Sequence, residues 1–179
     1  NTIGVIVPEI VHFFFSTVIS GIEDIAQSKG YNVIITQSNE SLEREAVNLQ
    51  TLFNNRVDGV LISLSKETEE YSHIEALMQK GLPVVFFDRV ANDLKCSKVT
   101  VDDFLGGYQA TKHLIKQGYK KIAHLAGPTN LDITYQRLEG YKKAHEEAEM
   151  EVDESLIVFD MISNDSDTQN AVYELLKDK

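Results

Sequence analysis

The chain has 179 residues, of which 42% are hydrophobic and 25% are charged, and its formal net charge is -11. This length and composition allow a buried core in one large or two small domains, and no apolar run approaches the ~20 residues that a membrane-spanning helix requires. The acidic balance opposes contact between this segment and nucleic acid, because phosphate binding depends on Lys and Arg. Any DNA contact is therefore expected from another module.

Seven short runs rich in β-branched residues alternate with longer amphipathic segments. Strands are predicted at residues 3–7, 32–36, 59–63, 84–87, 98–101, 121–126 and 156–159. Helices are predicted at residues 14–29, 41–54, 67–80, 102–117, 135–149 and 165–177, and three of them end at Gly30, Gly81 and Gly118, which can adopt the left-handed conformation that closes a helix. Repeated strand-helix-strand units predict an α/β fold with a parallel sheet.

The chain is expected to contain two domains. Apolar periodicity lapses and polarity rises at residues 91–95, so we place the domains at residues 1–95 and 96–179. The helix predicted at 41–54 carries an apolar stripe on a charged surface, and part of this stripe could serve a dimer.

The pair Asp88-Arg89 follows directly on the apolar run 82–87, where a buried strand is expected to end. In open α/β sheets, ligands bind beyond the carboxyl ends of the strands. The Asp88 carboxylate can accept hydrogen bonds from two hydroxyls, and the Arg89 guanidinium donates a rigid fork of N–H groups, so the pair suits a small polyol. The alternative from these two residues alone is a local salt bridge that caps the loop.

Other candidate residues also follow predicted strands. His12 and the phenylalanines 13–15 come after the first strand, and the loop 127–130 after the sixth strand leads to Arg137. Successive helical positions point about 100° apart, so three consecutive phenylalanines cannot all face one core, and at least one is expected to face a cleft. Aromatic side chains with Asp, Arg and an imidazole suit the apolar faces and hydroxyl rim of a sugar. The alternative is that the phenylalanines are core residues and that His12 lies in a surface loop.

The sequence contains none of the common enzyme motifs. It lacks a nucleophile elbow, a P-loop, a dinucleotide-binding glycine motif and a zinc-protease motif. Cys96, the single cysteine, is expected to be structural, and the glycine pair 106–107 indicates a close approach between helices. Three histidines lack the spacing of metal ligands: His113, His124 and His145. We therefore expect no catalytic residue, no metal site and no cofactor.

Several segments, taken in order, resemble the effector-binding core of the LacI/GalR family of bacterial transcription regulators, which shares the fold of periplasmic sugar-binding proteins. Residues 81–89 read Gly-Leu-Pro-Val-Val-Phe-Phe-Asp-Arg, and residues 118–128 read Gly-Tyr-Lys-Lys-Ile-Ala-His-Leu-Ala-Gly-Pro. The other matching segments are 2–8, 14–15, 30–31, 56–62, 101–103, 106–107, 113–115 and 137–141. The resemblance covers the whole chain and implies a three-layer αβα sandwich of the type I periplasmic-binding-protein-like fold, in two Rossmann-like subdomains of which the second is incomplete.

The resemblance also implies a set of effector-binding residues: His12, Phe14, Phe15, Asp88, Arg89 and Arg137. The two phenylalanines stand where the family places aromatic side chains against the ligand, and the pair 88–89 stands where sugar-binding relatives grip hydroxyls. The arginine matches one that reaches the ligand from the second subdomain. Two departures are His12, where the family often has an asparagine, and Phe13, where a proline is usual. A larger, flatter or charged effector would fit these two side chains equally well.

The function that the resemblance implies is sensing without catalysis. The chain is expected to be the effector-binding region of a cytoplasmic LacI-like regulator, which binds a small metabolite such as a sugar between two subdomains and so controls operator binding allosterically. A homodimer is expected, with operator DNA bound by an N-terminal helix-turn-helix module outside this segment and with no membrane contact. Further C-terminal strands would complete the second subdomain.

Two other functions remain open from the sequence. A periplasmic binding protein that delivers a sugar to a transporter would share the fold, and a signal peptide upstream, instead of a helix-turn-helix, would identify it. An enzyme that acts on a sugar or nucleotide is the third class, although no nucleophile or metal cluster supports it.

Overall fold

The computed structural model describes residues 1–11, 13–159 and 165–177. The chain divides into two compact units, which are unit 1 (Asn1–Thr100) and unit 2 (Val101–Lys179). Unit 1 contains β1 (Thr2–Val7), α1 (Phe13–Ser28), β2 (Asn32–Gln37), α2 (Leu42–Asn54), β3 (Gly59–Ile62), α3 (Ser72–Gln79), β4 (Val84–Phe87) and β5 (Ser97–Val99). Unit 2 contains α4 (Asp103–Lys116), β6 (His124–Leu125), α5 (Asp132–Glu147), a 3₁₀ turn (Glu154–Leu156), β7 (Ile157–Val158) and α6 (Asp165–Lys177).

The five strands of unit 1 form one parallel sheet in the order β2-β1-β3-β4-β5. In the centre of this sheet Val5 of β1 lies opposite Ile35 of β2 on one side and Leu61 of β3 on the other. The chain passes from β1 to β2 on one side and then crosses back to β3 on the other side of β1. The connections that follow β1 and β3 therefore lead toward opposite edges of the sheet. A switch of this kind opens a crevice at the carboxyl edge of a parallel sheet, where ligands bind.

Helices cover both faces of this sheet. On one face, residues of α2 and α3 pack in a core with Ile62 and Phe86, which are fully buried. On the other face, α1 places Phe15 and Ile19 against Val7. Burial on both faces explains why the strands are continuously apolar, and it confirms the predicted α/β fold with a parallel sheet between helices.

Unit 2 is built around a close contact between α4 and α5. A β-carbon added to Gly107 would lie less than 3.0 Å from the backbone oxygen of Arg137, and one added to Gly140 would lie less than 3.0 Å from the backbone oxygen of Phe104. Gly106, in contrast, faces open space. The predicted close approach of helices is therefore confirmed at Gly107. β6 and β7 pair in parallel beside this helix pair, with His124 opposite Ile157.

The predicted strands and helices all occur, and their ends differ from the prediction by at most three residues except at α3. α3 begins at Ser72 instead of residue 67. The backbone N–H of Ser65 donates to the Glu45 carboxylate at 2.7 Å, and that of Lys66 donates to the Glu40 carboxylate at 2.8 Å. The prediction of helix at residues 67–71 is wrong because these tertiary hydrogen bonds hold the segment after β3 as a loop.

The predicted helix-ending glycines have positive φ angles, which are 74° at Gly30 and 91° at both Gly81 and Gly118. β5 pairs with β4, with Ser97 opposite Val85, so residues 97–99 complete the sheet of unit 1 beyond the predicted boundary at residues 95 and 96. Within the described ranges, no helix combines the length and apolar character needed to cross a membrane.

Candidate functional site

Asp88 leaves β4 at the carboxyl edge of the unit 1 sheet. Its φ angle is 59°, in the left-handed region that few residues other than glycine adopt. Its N–H donates to the carbonyl oxygen of Val99 at 3.0 Å, and the hydroxyl of Ser63, just after β3, donates to Oδ2 of Asp88 at 3.4 Å. Such a conformation persists only where the surrounding structure imposes it, and it is common at binding sites.

Arg89 forms its ion pair with Glu40, in the loop after β2, and not with its neighbour Asp88. Nη1 of Arg89 donates to the two carboxylate oxygens of Glu40 at 2.9 and 2.7 Å, and it donates to the carbonyl oxygen of Leu64 at 3.3 Å. The side chains of Arg89 and Glu40 are only 16% and 17% exposed. A mostly buried salt bridge between two loops, Arg89–Glu40, is therefore present instead of the local Asp88–Arg89 salt bridge that the sequence allowed.

Glu45 of α2 holds the loop after β3 in place through hydrogen bonds. Its carboxylate is fully buried and accepts hydrogen bonds from the Ser65 N–H at 2.7 Å, the Thr68 hydroxyl at 3.1 Å and Nε2 of His73 at 2.9 Å. Because a carboxylate only accepts, Nε2 of His73 carries a proton. The same loop supplies the Leu64 carbonyl that accepts a hydrogen bond from Arg89. Glu45 therefore supports the candidate site indirectly, by holding this loop in place.

Sequence reasoning missed the roles of Glu40 and Glu45. For Glu45 a signal exists, because this residue precedes Leu49 and Leu52 by four and seven positions and so lies on the buried stripe of α2. A carboxylate on a buried stripe needs hydrogen-bond partners. Glu40 offers no comparable signal, because an acidic residue in a loop is ordinarily solvated.

The three phenylalanines at the start of α1 differ in exposure. Phe13 is 86% exposed, Phe14 is 47% exposed and Phe15 is 5% exposed. The rings of Phe14 and Phe15 meet edge to face with their centroids 5.1 Å apart. The expectation that they do not share one core is confirmed, and Phe14 presents part of its ring near the carboxyl edge of the sheet. His12 lies outside the described residues.

We call Phe14, Glu40, Asp88 and Arg89 the edge cluster, because each follows a strand of the unit 1 sheet at its carboxyl edge. It supplies an aromatic ring, two carboxylates and one guanidinium. No cluster of three or more His, Cys, Asp or Glu suited to a metal ion occurs in the part of the chain that the structure describes. The edge cluster can therefore offer hydrogen-bond acceptors, donors and an apolar surface to a hydroxylated ligand.

Arg137, the remaining site candidate, lies in α5 of unit 2. Its Nε donates to Oδ1 of Asp103 at 2.7 Å, and the two side chains are 49% and 9% exposed, respectively. Asp103 begins α4, where the helix dipole favours a negative charge. The half-exposed guanidinium keeps N–H donors for a further group.

Burial lowers the pKa of His124 below its ordinary value of 6.5, and the positive charge of Arg137 lowers it further. The unfolded chain therefore takes up a proton on this residue at a higher pH than the folded chain. The stability that neutral His124 contributes is present above about pH 6.5 and is lost as the pH falls below that value. We expect His124→Gln to flatten the fall in unfolding free energy between about pH 7 and pH 5, measured by urea denaturation. An unchanged slope would contradict this assignment.

Comparison with known proteins places this arrangement in a family. The family described as periplasmic binding proteins and sugar-binding domain of the LacI family matches residues 1–179. The ribose operon repressor of Haemophilus influenzae is 35% identical over 158 residues, which cover 88% of this chain and 47% of the repressor.

Two solved structures show the same fold. The transcription regulator CcpA of Lactococcus lactis superposes with a TM-score of 0.87 at 31% identity, over 99% of this chain and 64% of that chain. A LacI-family transcriptional regulator from Enterococcus faecium with bound ribose superposes with a TM-score of 0.80 at 30% identity, over 99% of this chain and 63% of that chain.

The chain spans about half the length of the curated relatives it matches. The match nevertheless extends over all residues of the chain, and it confirms the resemblance that the ordered motifs indicate. The chain belongs to the family of periplasmic binding proteins and LacI-type sugar-binding domains.

Proposed function

We propose that this chain is the effector-binding region of a LacI-like transcription regulator and that its effector is a sugar. The observation that carries the proposal is the edge cluster, in which Asp88 and Arg89 follow β4 and the partly exposed ring of Phe14 follows β1 at the same edge of the sheet. Carboxylate acceptors and guanidinium donors bind hydroxyls, and an aromatic ring packs against the C–H face of a sugar.

The predicted subdomains, residues 1–95 and 96–179, would each contribute effector contacts. The first would supply His12, Phe14, Asp88 and Arg89, and the second would supply Arg137. Phe15, which is also among the predicted effector-binding residues, is 5% exposed and would support the ring of Phe14 from the core. Effector binding would shift a conformational equilibrium and so change operator binding by a helix-turn-helix module elsewhere in the protein. The net charge of -11 supports DNA contact outside this segment.

The relatives support a regulator over a transporter component. The repressor of Haemophilus influenzae and the CcpA structure are both transcription proteins. We infer from them a cytoplasmic, non-catalytic protein without a cofactor, which acts as a homodimer on two-fold related half-sites.

Calorimetric titration of the complete protein tests this function. A panel of pentoses, hexoses, disaccharides, nucleosides and sugar phosphates should contain a compound that binds saturably. Asp88→Ala and Arg137→Ala should each weaken its binding by about tenfold or more, because each removes a charge-assisted hydrogen bond worth about 1.5–3 kcal/mol.

Matched controls are Asp93→Ala and Arg44→Ala, which remove exposed charges of unit 1 outside the edge cluster. Both should bind the effector as the unmodified protein does. Unchanged binding in both Asp88→Ala and Arg137→Ala would refute the site assignment. Turnover of a compound in the panel would refute the non-catalytic role.

A further inference from the structure

Glu40 reaches Arg89 across the width of the sheet. The two residues follow β2 and β4, and β1 and β3 lie between these strands. Glu40 and the preceding Asn39 have φ angles of 61° and 53°, so two consecutive residues adopt the left-handed conformation that costs energy without glycine. The fold thus maintains an unfavourable backbone turn at the position from which this carboxylate contacts the guanidinium.

The Glu40 carboxylate is held in place from a second side. Its Oε2 accepts the Lys66 N–H at 2.8 Å in addition to Nη1 of Arg89 at 2.7 Å. With side-chain exposures of 16% for Arg89 and 17% for Glu40, the pair is shielded from most of the solvent. Salt screens a shielded ion pair only weakly. If either partner moved away, the charge of the other would remain buried without a counter-charge, which is strongly unfavourable.

The edge cluster consequently contains no unbalanced guanidinium. The guanidinium of Arg89 is directly neutralised by the carboxylate of Glu40. An anionic ligand at the edge cluster would therefore meet a guanidinium whose charge the chain itself already balances.

The donors that Arg89 has left suit a neutral partner. Nη1 is occupied by Glu40 and Leu64, Nε is buried without a partner, and among the described residues Nη2 has no hydrogen bond. A sugar hydroxyl can accept from Nη2 and donate to the Asp88 carboxylate without adding charge. A phosphate group adds about -1.5 to -2 charge and only accepts, so it would be repelled by the Glu40 carboxylate that already pairs with Arg89.

We propose that Glu40 is a positioning residue that determines specificity. Its carboxylate balances the charge of Arg89 and thereby restricts the effector to neutral, unphosphorylated sugars. The inference rests on the proposed sugar-sensing function of the same site. Removing the negative charge of Glu40 while keeping its shape, as in Glu40→Gln, leaves Arg89 free to attract an anionic sugar.

Competitive calorimetry of the complete protein tests the proposal with sugars paired with their own phosphates. D-ribose is titrated against D-ribose 5-phosphate first, and D-xylulose and D-glucose follow with D-xylulose 5-phosphate and D-glucose 6-phosphate. The unmodified protein should bind the neutral member of the best-bound pair at least about tenfold more tightly. Glu40→Gln should shift the ratio of the two dissociation constants toward the phosphate by about tenfold or more.

Glu43→Gln is the matched control, because it removes the same charge from an exposed position three residues away that has no contact with Arg89. It should leave the ratio unchanged. Adding Arg89→Gln to Glu40→Gln should abolish the gain in phosphate binding, an effect that a general loosening of the loop would not produce. Thermal unfolding of each variant checks that the fold is retained.

The outcomes separate the inference from the function on which it rests. Preference of the unmodified protein for a phosphorylated sugar would overturn the inference and leave sugar sensing intact. Equal ratios in Glu40→Gln and Glu43→Gln would overturn the role of Glu40. Failure of every neutral and phosphorylated sugar to bind the unmodified protein would overturn the proposed function and the inference together.

Discussion

Gly107→Ala is expected to lower the free energy of unfolding of unit 2 by about 2–3 kcal/mol, although alanine favours helix more than glycine does. A β-carbon at Gly107 would lie less than 3.0 Å from the backbone oxygen of Arg137. Backbone cannot rotate out of the way as a flexible side chain can, so α4 and α5 must move apart. This separation would open gaps around Tyr141, which is 1% exposed.

The neighbouring Gly106 provides a control within the same helix. No atom lies within 4 Å of a β-carbon added there, so Gly106→Ala should raise the free energy of unfolding by about 0.5–1 kcal/mol through helix propensity alone. Urea denaturation followed by far-ultraviolet circular dichroism measures both variants. Equal changes at the two glycines would show that the close approach of α4 and α5 does not limit stability.

The same substitution should also report on the candidate site. Because the backbone of Arg137 lies against Gly107, moving α5 displaces the guanidinium that Asp103 holds at 2.7 Å. We therefore expect Gly107→Ala to weaken effector binding at temperatures where the protein remains folded, and Gly106→Ala to leave binding unchanged. This difference would connect the packing of unit 2 to its proposed ligand contact.

Periodicity predicted the elements of this fold well because each strand and helix has a distinct apolar pattern. The strand at Val84–Phe87 is continuous because both of its faces are buried, and Gly81 ends the preceding helix with a φ angle of 91°. The start of α3 was not predictable in the same way. Its position depends on carboxylates that hold Ser65 and Lys66, and these come from residues 20 and 26 positions earlier in the chain.

The candidate site was predictable in its location and less so in its connections. The end of β4 marked Asp88 and Arg89, because a charged pair that follows a buried strand must lie at the edge of the sheet. The partner of Arg89 could not be read from the sequence, since Glu40 is 49 residues away and is brought near only by the order of the strands. Local composition sets the elements, while the contacts between loops set the charge balance of the edge cluster.

Glu45→Ala is expected to lower the free energy of unfolding of unit 1 by about 3 kcal/mol or more. The substitution would leave three donors without their acceptor, which are the Ser65 N–H, the Thr68 hydroxyl and Nε2 of His73. Ser65 and Thr68 are 0% and 1% exposed, so water cannot readily replace the carboxylate. Chemical denaturation gives the change in stability directly.

Two further variants test whether the hydrogen bonds of Glu45 account for this loss of stability. Glu43→Ala removes a carboxylate from the exposed side of the same helix and should change stability by no more than about 0.5–1 kcal/mol. Glu45→Gln keeps the volume but replaces one acceptor with an NH₂ group that faces a donor, so it should recover only part of the loss. Full recovery by Glu45→Gln would show that the shape of the side chain, and not its two acceptors, stabilises the loop.

The loss of Glu45 should reach the proposed binding site even in protein that remains folded. The loop it fixes carries the Leu64 carbonyl that accepts from Arg89 and the Lys66 N–H that donates to Glu40. Once that loop moves, the Glu40–Arg89 pair loses a restraint on each partner. We therefore expect Glu45→Ala to weaken sugar binding and also to reduce the discrimination against sugar phosphates, whereas a defect in folding alone would lower the active fraction and leave that discrimination unchanged.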